Sequence, residues 1–181
     1  MPEKTIGTTC AFAGRLLRVE SVEVELDSGV RSVREIVRHP GAAVVLAQLD
    51  DGRFVFVRQY RKAIEQATLE VVAGTLHPGE DPAACAHREL REESGYTARE
   101  LIKLGVVLPA PGYTTERLHT YFARLDGKQG DLQTDHDEQV QVVYLTAADV
   151  ERKLAAGEIE DAKTLSAWLL YKTRIARAGA G

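Results

Sequence analysis

The chain has 181 residues, 44% of them hydrophobic and 28% charged, with a formal net charge of −4. That is enough for one globular chain with a sizeable core, and the mildly acidic balance excludes the basic footprint of a nucleic-acid or anionic-membrane binder. No apolar run approaches the roughly 20 residues of a transmembrane helix.

In chain order, the N-terminal MPEKTIGTTC lacks the apolar stretch of a secretory signal. Residues 10–39 alternate loosely, with Val22, Val24 and Leu26 on one side and a second extended run at Val33–Val37. The intervening Asp27-Ser28-Gly29 predicts a turn, hence an N-terminal antiparallel β region. His39-Pro40-Gly41 breaks the chain before the apolar run Ala42–Leu49, which predicts a central strand. Further strands are expected at Phe54–Tyr60, Leu69–Ala73, Leu101–Leu108, Leu118–Leu125 and Val140–Leu145. Thr146 with Asp149 resembles a capping box before a helix through Ala156, and Asp161 can cap a last helix carrying Leu165, Trp168, Leu169 and Ile175. Trp168 shares helical spacing with these apolar residues, which predicts a core position. Mostly strands with one internal and two terminal helices imply an α/β fold, a mixed sheet between helices. Cys10 and Cys85 have no second cysteine at metal-site or redox spacing, as expected of reduced thiols in a cytoplasmic protein.

The stretch Gly74–Tyr96, GTLHPGEDPAACAHRELREESGY, organises the rest. Asp81 sits at an N-cap, Pro82 at the first helical position and Gly95 at a left-handed C-terminal position, which predicts a helix over 82–94. At 100° per residue Glu89, Glu92 and Glu93 share one sector, beside an apolar stripe of Ala83, Ala86 and Leu90. Glu89 and Glu93 are like charges at i,i+4, which costs an isolated helix about 0.2–0.5 kcal/mol. A bound cation would offset it, and Mg²⁺ favours one or two carboxylates together with substrate phosphates. Arg88 can pair with Glu80 or Glu92 and fix the carboxylates' orientation.

An acidic helix face alone is ordinary solvated surface. The whole spacing is not: Gly74, five residues, Glu80, seven, Arg88-Glu89-Leu90, one, Glu92-Glu93, one, Gly95 and a bulky apolar residue. Seven of these, Gly74, Glu80, Arg88, Glu89, Glu92, Glu93 and Gly95, coincide at average usage by chance about once in a million chains of this length. The stretch resembles the Nudix box, with Tyr96 where the family usually has an aliphatic residue. His39-Pro40-Gly41, Arg58-Gln59-Tyr60-Arg61, Leu69-Glu70, Ala73-Gly74, Pro111-Gly112-Tyr113-Thr114-Thr115-Glu116 and Asp135-His136-Asp137-Glu138 extend the likeness to the ADP-ribose pyrophosphatase branch. Pro111, sixteen residues after Gly95, stands where a proline is associated with ADP-ribose hydrolases.

The resemblance implies a Nudix α/β/α sandwich with a mixed sheet over residues 41–181 as the catalytic domain, and residues 1–40 as an N-terminal β region used in dimerisation. It implies Glu89, Glu93, Glu92 and the Ala73 carbonyl as ligands of Mg²⁺, with Mn²⁺ or Zn²⁺ as substitutes. Arg61 matches a diphosphate contact, and Thr75 and Glu116 lie toward the terminal ribose. Arg58 and Tyr60 complete the substrate set, with base stacking open to Tyr60 or Phe12. Glu92 and Arg88 join Glu138 in the catalytic set; Asp137 and Glu138 are both candidates for the residue that orients or deprotonates the attacking water. The expected activity is hydrolysis of ADP-ribose to AMP and ribose 5-phosphate by a cytoplasmic homodimer, with no nucleic-acid or membrane partner. The alternatives are hydrolysis of another nucleoside diphosphate sugar or dinucleotide, such as GDP-mannose or NADH, and a non-catalytic ADP-ribose sensor.

Overall fold

A computed structural model of the chain describes residues 2–127, 129–131 and 139–176. They form two compact units, Met1–Gly41 with Leu108–Arg117, and Ala42–Val107 with Leu118–Gly181.

The first unit is a three-stranded antiparallel sheet in the order β1 (Lys4–Ala13), β2 (Arg18–Glu25), β3 (Arg31–Arg38). Extended structure therefore begins six residues before the alternation at residue 10 predicts. Lys4–Ala13 buries almost nothing, so it lacks the period-2 pattern that betrays a half-buried strand. The turn falls where expected, with the Gly29 amide donating to the Leu26 carbonyl. Glu20, nearly buried on β2, takes the Nε donors of Arg18 and Arg38 at 2.9 and 2.8 Å. The segment Leu108–Arg117 is stitched to β3: the Val37 amide donates to the Tyr113 carbonyl and the Thr115 amide to the Val37 carbonyl.

The second unit is a mixed sheet in the order β10 (Val140–Leu145), β5 (Phe54–Arg61), β4 (Ala42–Gln48), β9 (Leu118–Leu125), β8 (Ala98–Val107). β6 (Gln66–Glu70) pairs with β5 and β7 (Val72–Thr75) with β4; β4 and β9 run parallel and the other pairs antiparallel. The unbroken apolar run of β4 arises because both faces are covered. Val44 and Leu46 join Phe54, Phe56 and Phe122 in one core under α3 (Ala162–Tyr171), whereas Ala43, Val45 and Ala47 join Val55 and Val57 in a second under α1 (Pro82–Ser94). α2 (Ala147–Ala155) contributes Val150 to the first core, and its predicted capping box is present at Thr146 and Asp149. This is the expected α/β sandwich.

Two boundaries differ from expectation. The single strand expected at Leu69–Ala73 is interrupted at Val71, whose amide donates to Thr164 Oγ1 at 2.9 Å and not to a strand. The last helix ends at Tyr171 and continues as a wider π-type turn through Ala176. Trp168 is 4% exposed and packs edge-on against Phe54, whereas Leu165 and Leu169 face outward.

Candidate active site

The site is built where β7 delivers the chain to α1. Asp81 Oδ1 accepts the Ala83 and Ala84 amides, Pro82 opens the helix, and Gly95 at φ 74° closes it. These caps fix the rotation of the helix, and with it which acids face β7.

Glu89 lies directly over Gly74. A Cβ added there would stand 1.8 Å from Glu89 Cδ, so only glycine lets the carboxylate approach the strand. Glu93, one turn on, is 4% exposed and its Oε2 faces the Ala73 amide at 3.3 Å. Arg88 ties the rest together. Its Nε and Nη2 donate to the two oxygens of Glu80 at 2.9 and 3.0 Å, and Nη2 also to the Thr75 carbonyl at 3.2 Å. Its Nη1 bridges Glu89 Oε1 at 2.5 Å and Glu92 Oε2 at 3.0 Å. The arginine expected to choose between Glu80 and Glu92 therefore holds both, and Glu89 as well. Part of the offset to the Glu89–Glu93 repulsion thus comes from the chain's own guanidinium.

The hydrogen bonds from Arg88 hold the Glu80 carboxyl at about 2, and Glu80 in turn raises the arginine's pKa. Arg88 Nη2 also reaches Cys85 Sγ at 3.4 Å. Burial pushes that thiol up to about 12, which makes it an inert packing residue.

Among the described residues, no three acid, histidine or cysteine side chains already converge as a cation cage. The donor set still fits a hard divalent ion. Such an ion needs only one or two protein carboxylates when water and substrate phosphate complete its shell, and Glu89 and Glu93 present theirs against the Ala73-Gly74 backbone.

Arg61 ends β5 and is gripped by Glu70, with Nε to Oε1 at 2.8 Å and Nη2 to Oε2 at 2.5 Å. Glu70 is 2% exposed and also receives Thr68 Oγ1 and Lys163 Nζ. Burial pushes its carboxyl up, but these donors outweigh burial and hold it at about 2. Sequence reasoning placed Leu69-Glu70 within the likeness but gave Glu70 no role. The available signal was a lone acid inside the apolar run LEVVAG, which demands buried partners.

Strand alternation puts Arg58 and Tyr60 on the opposite face of β5 from Arg61, where they line a shallow cleft with Ala67 and Gln141. Glu116 belongs to the first unit, 3.6 Å from His39 Nδ1. That nitrogen already accepts the Gly41 amide at 3.0 Å, so the approach to Glu116 is a proximity and not a hydrogen bond. Glu138 and Asp137 lie outside the described residues. Tyr96 is a core residue, its ring packed under α1 and its hydroxyl 3.1 Å from that of Tyr144.

The profile of the NUDIX domain matches residues 37–169. The chain is 40% identical over 165 residues to an ADP-ribose pyrophosphatase of Bacillus subtilis, covering 91% of this chain and 89% of that protein. It is 40% identical over 166 residues to a methanol dehydrogenase activator of Bacillus methanolicus, covering 91% and 90%. A crystal structure of an ADP compounds hydrolase superposes with a TM-score of 0.85 at 27% identity, over 99% of this chain and 97% of that one. With the box residues gathered on Gly74 and α1 as that family's spacing requires, the chain belongs to the Nudix family.

Proposed function

We propose that the protein hydrolyses the diphosphate of ADP-ribose, consuming one water and releasing AMP and ribose 5-phosphate. The observation that carries the chemistry is the Glu89–Glu93 pair seated on the Ala73-Gly74 backbone, with Arg88 holding Glu89. The substrate is supported by the 40% identity to a protein named ADP-ribose pyrophosphatase.

Glu89, Glu93 and the Ala73 carbonyl would hold Mg²⁺, with Mn²⁺ or Zn²⁺ as substitutes and Glu92 assisting. The bound ion supplies charge neutralisation of the diphosphate and a more acidic water. The chain's own residues do the rest. Arg88 keeps Glu89 and Glu92 from rotating away, and Arg61 offers a guanidinium to the diphosphate. Thr75 and Glu116 serve the terminal ribose, and Arg58 and Tyr60 complete the substrate set. Glu138, or Asp137 beside it in the sequence, orients the attacking water or takes its proton.

The protein acts as a cytoplasmic homodimer joined through the N-terminal β region, a reading supported by the exposure there of Ile6, Phe12, Leu16, Val30 and Val33. No helix among the described residues is long and apolar enough to cross a membrane, and Cys10 and Cys85 are both free thiols.

Replacing Glu93 with Gln tests the assignment. It should lower kcat by several orders of magnitude while the circular dichroism and melting curve stay close to wild type. Retained turnover would remove Glu93 from the metal site.

A further inference from the structure

Arg61 is 40% exposed at its side chain, yet it is not loose. Two of its three nitrogens are held by one carboxylate, which fixes the plane of the guanidinium and leaves the Nη1 edge directed away from Glu70. The carboxylate itself is fixed from behind. Lys163 Nζ donates to Glu70 Oε2 and to Asp161 Oδ1, the latter at 2.9 Å. Asp161 caps α3 by accepting the Thr164 amide at 3.0 Å, and Thr164 Oγ1 accepts the Val71 amide at the break between β6 and β7. A continuous chain of contacts therefore runs from the N-terminus of α3 to the guanidinium.

Two further observations point this chain toward a ligand. Arg61 and Lys163 line a cleft of about 330 Å³ together with Ile64, Glu70, Glu160 and Asp161. The arginine's pKa is raised first by Glu70 and also by the charge of Glu93, which places Arg61 within the field of the acidic helix. A buried ion network is weak evidence of a role in stability alone, because well-packed apolar residues of similar volume often serve as well. Holding an exposed donor in one direction is a use that matches its cost.

We propose that Glu70, braced by Lys163, is a positioning residue that aims Arg61 at the substrate diphosphate. The inference rests on the hydrolase reading above. Asp161 and Thr68 limit the motion of Lys163 and Glu70, and none of the four needs to touch substrate.

A double-mutant cycle tests it, with kinetics on whichever nucleoside diphosphate compound the wild type turns over best. A glutamine at position 70 offers one acceptor where the carboxylate offers two, and it sets an amide NH₂ against cationic donors. Glu70→Gln should therefore reduce kcat/KM by about ten- to a hundredfold, mostly through KM, because a diphosphate contact acts on ground and transition states alike. Arg61→Ala should lose at least as much, and the double variant no more than Arg61→Ala alone. Lys163→Met provides a second cycle should Glu70→Gln fail to fold. Additive losses in the cycle, or a wild-type KM in both Glu70→Gln and Lys163→Met, would overturn the proposal. Coupling observed on another diphosphate, with ADP-ribose untouched, would instead overturn the substrate assignment and leave the positioning role standing.

Discussion

At the scale of single residues, the site depends on what is missing from position 74 as much as on what is present at position 89. Gly74→Ala would drive a methyl group into the Glu89 carboxylate, whose carbon would lie 1.8 Å away. The obstacle is the end of a flexible side chain, so the fold can yield cheaply while the carboxylate must leave its place. We expect a melting temperature within a few degrees of wild type and a kcat reduced by about a hundredfold or more; unchanged turnover would mean that Glu89 acts from another position. The spacing of the box made Gly74, Arg88, Glu89 and Glu93 legible in the sequence. The run LEVVAG marks Glu70 as an acid in need of buried partners, but its partner Lys163 was not legible, because the partnership spans 93 residues and has no local period to announce it.

At the scale of elements, the helix α1 was the most legible part of the chain, since Asp81, Pro82 and Gly95 each act on backbone groups only one to four residues away. Removing the cap by Asp81→Ala leaves the Ala83 and Ala84 amides without their acceptor and should cost about 1 kcal/mol, a fall of roughly 2–4 °C in melting temperature for a chain of this size. A stability equal to wild type would show that water or a neighbour replaces the cap. Strands that are buried on both faces, such as β4, announced themselves as apolar runs. β1 did not, because its side chains stay exposed and its order comes from pairing with β2. The break at Val71 was equally silent, being imposed by Thr164 on a distant helix.

At the scale of the whole molecule, stability should fall steeply in acid. The Glu70 carboxyl is held at about 2 in the folded protein against 4.5 unperturbed. A depressed folded-state pKa contributes stability above pH 4.5 that is lost as pH falls toward 2. At 1.36 kcal/mol per pKa unit the difference is of order 3 kcal/mol. Melting curves between pH 6 and 2 should show this loss in wild type and a flatter profile in Glu70→Gln; parallel profiles would assign the acid sensitivity elsewhere. Light scattering addresses the assembly, with twice the chain mass of 19.9 kDa expected and a monomer at working concentration counting against the dimer. The most direct measurement is product analysis of the purified protein with Mg²⁺ against ADP-ribose, ADP-glucose, GDP-mannose, NADH and diadenosine polyphosphates. AMP and ribose 5-phosphate from ADP-ribose at the highest kcat/KM is the predicted result; binding of ADP-ribose without turnover of any compound would contradict it.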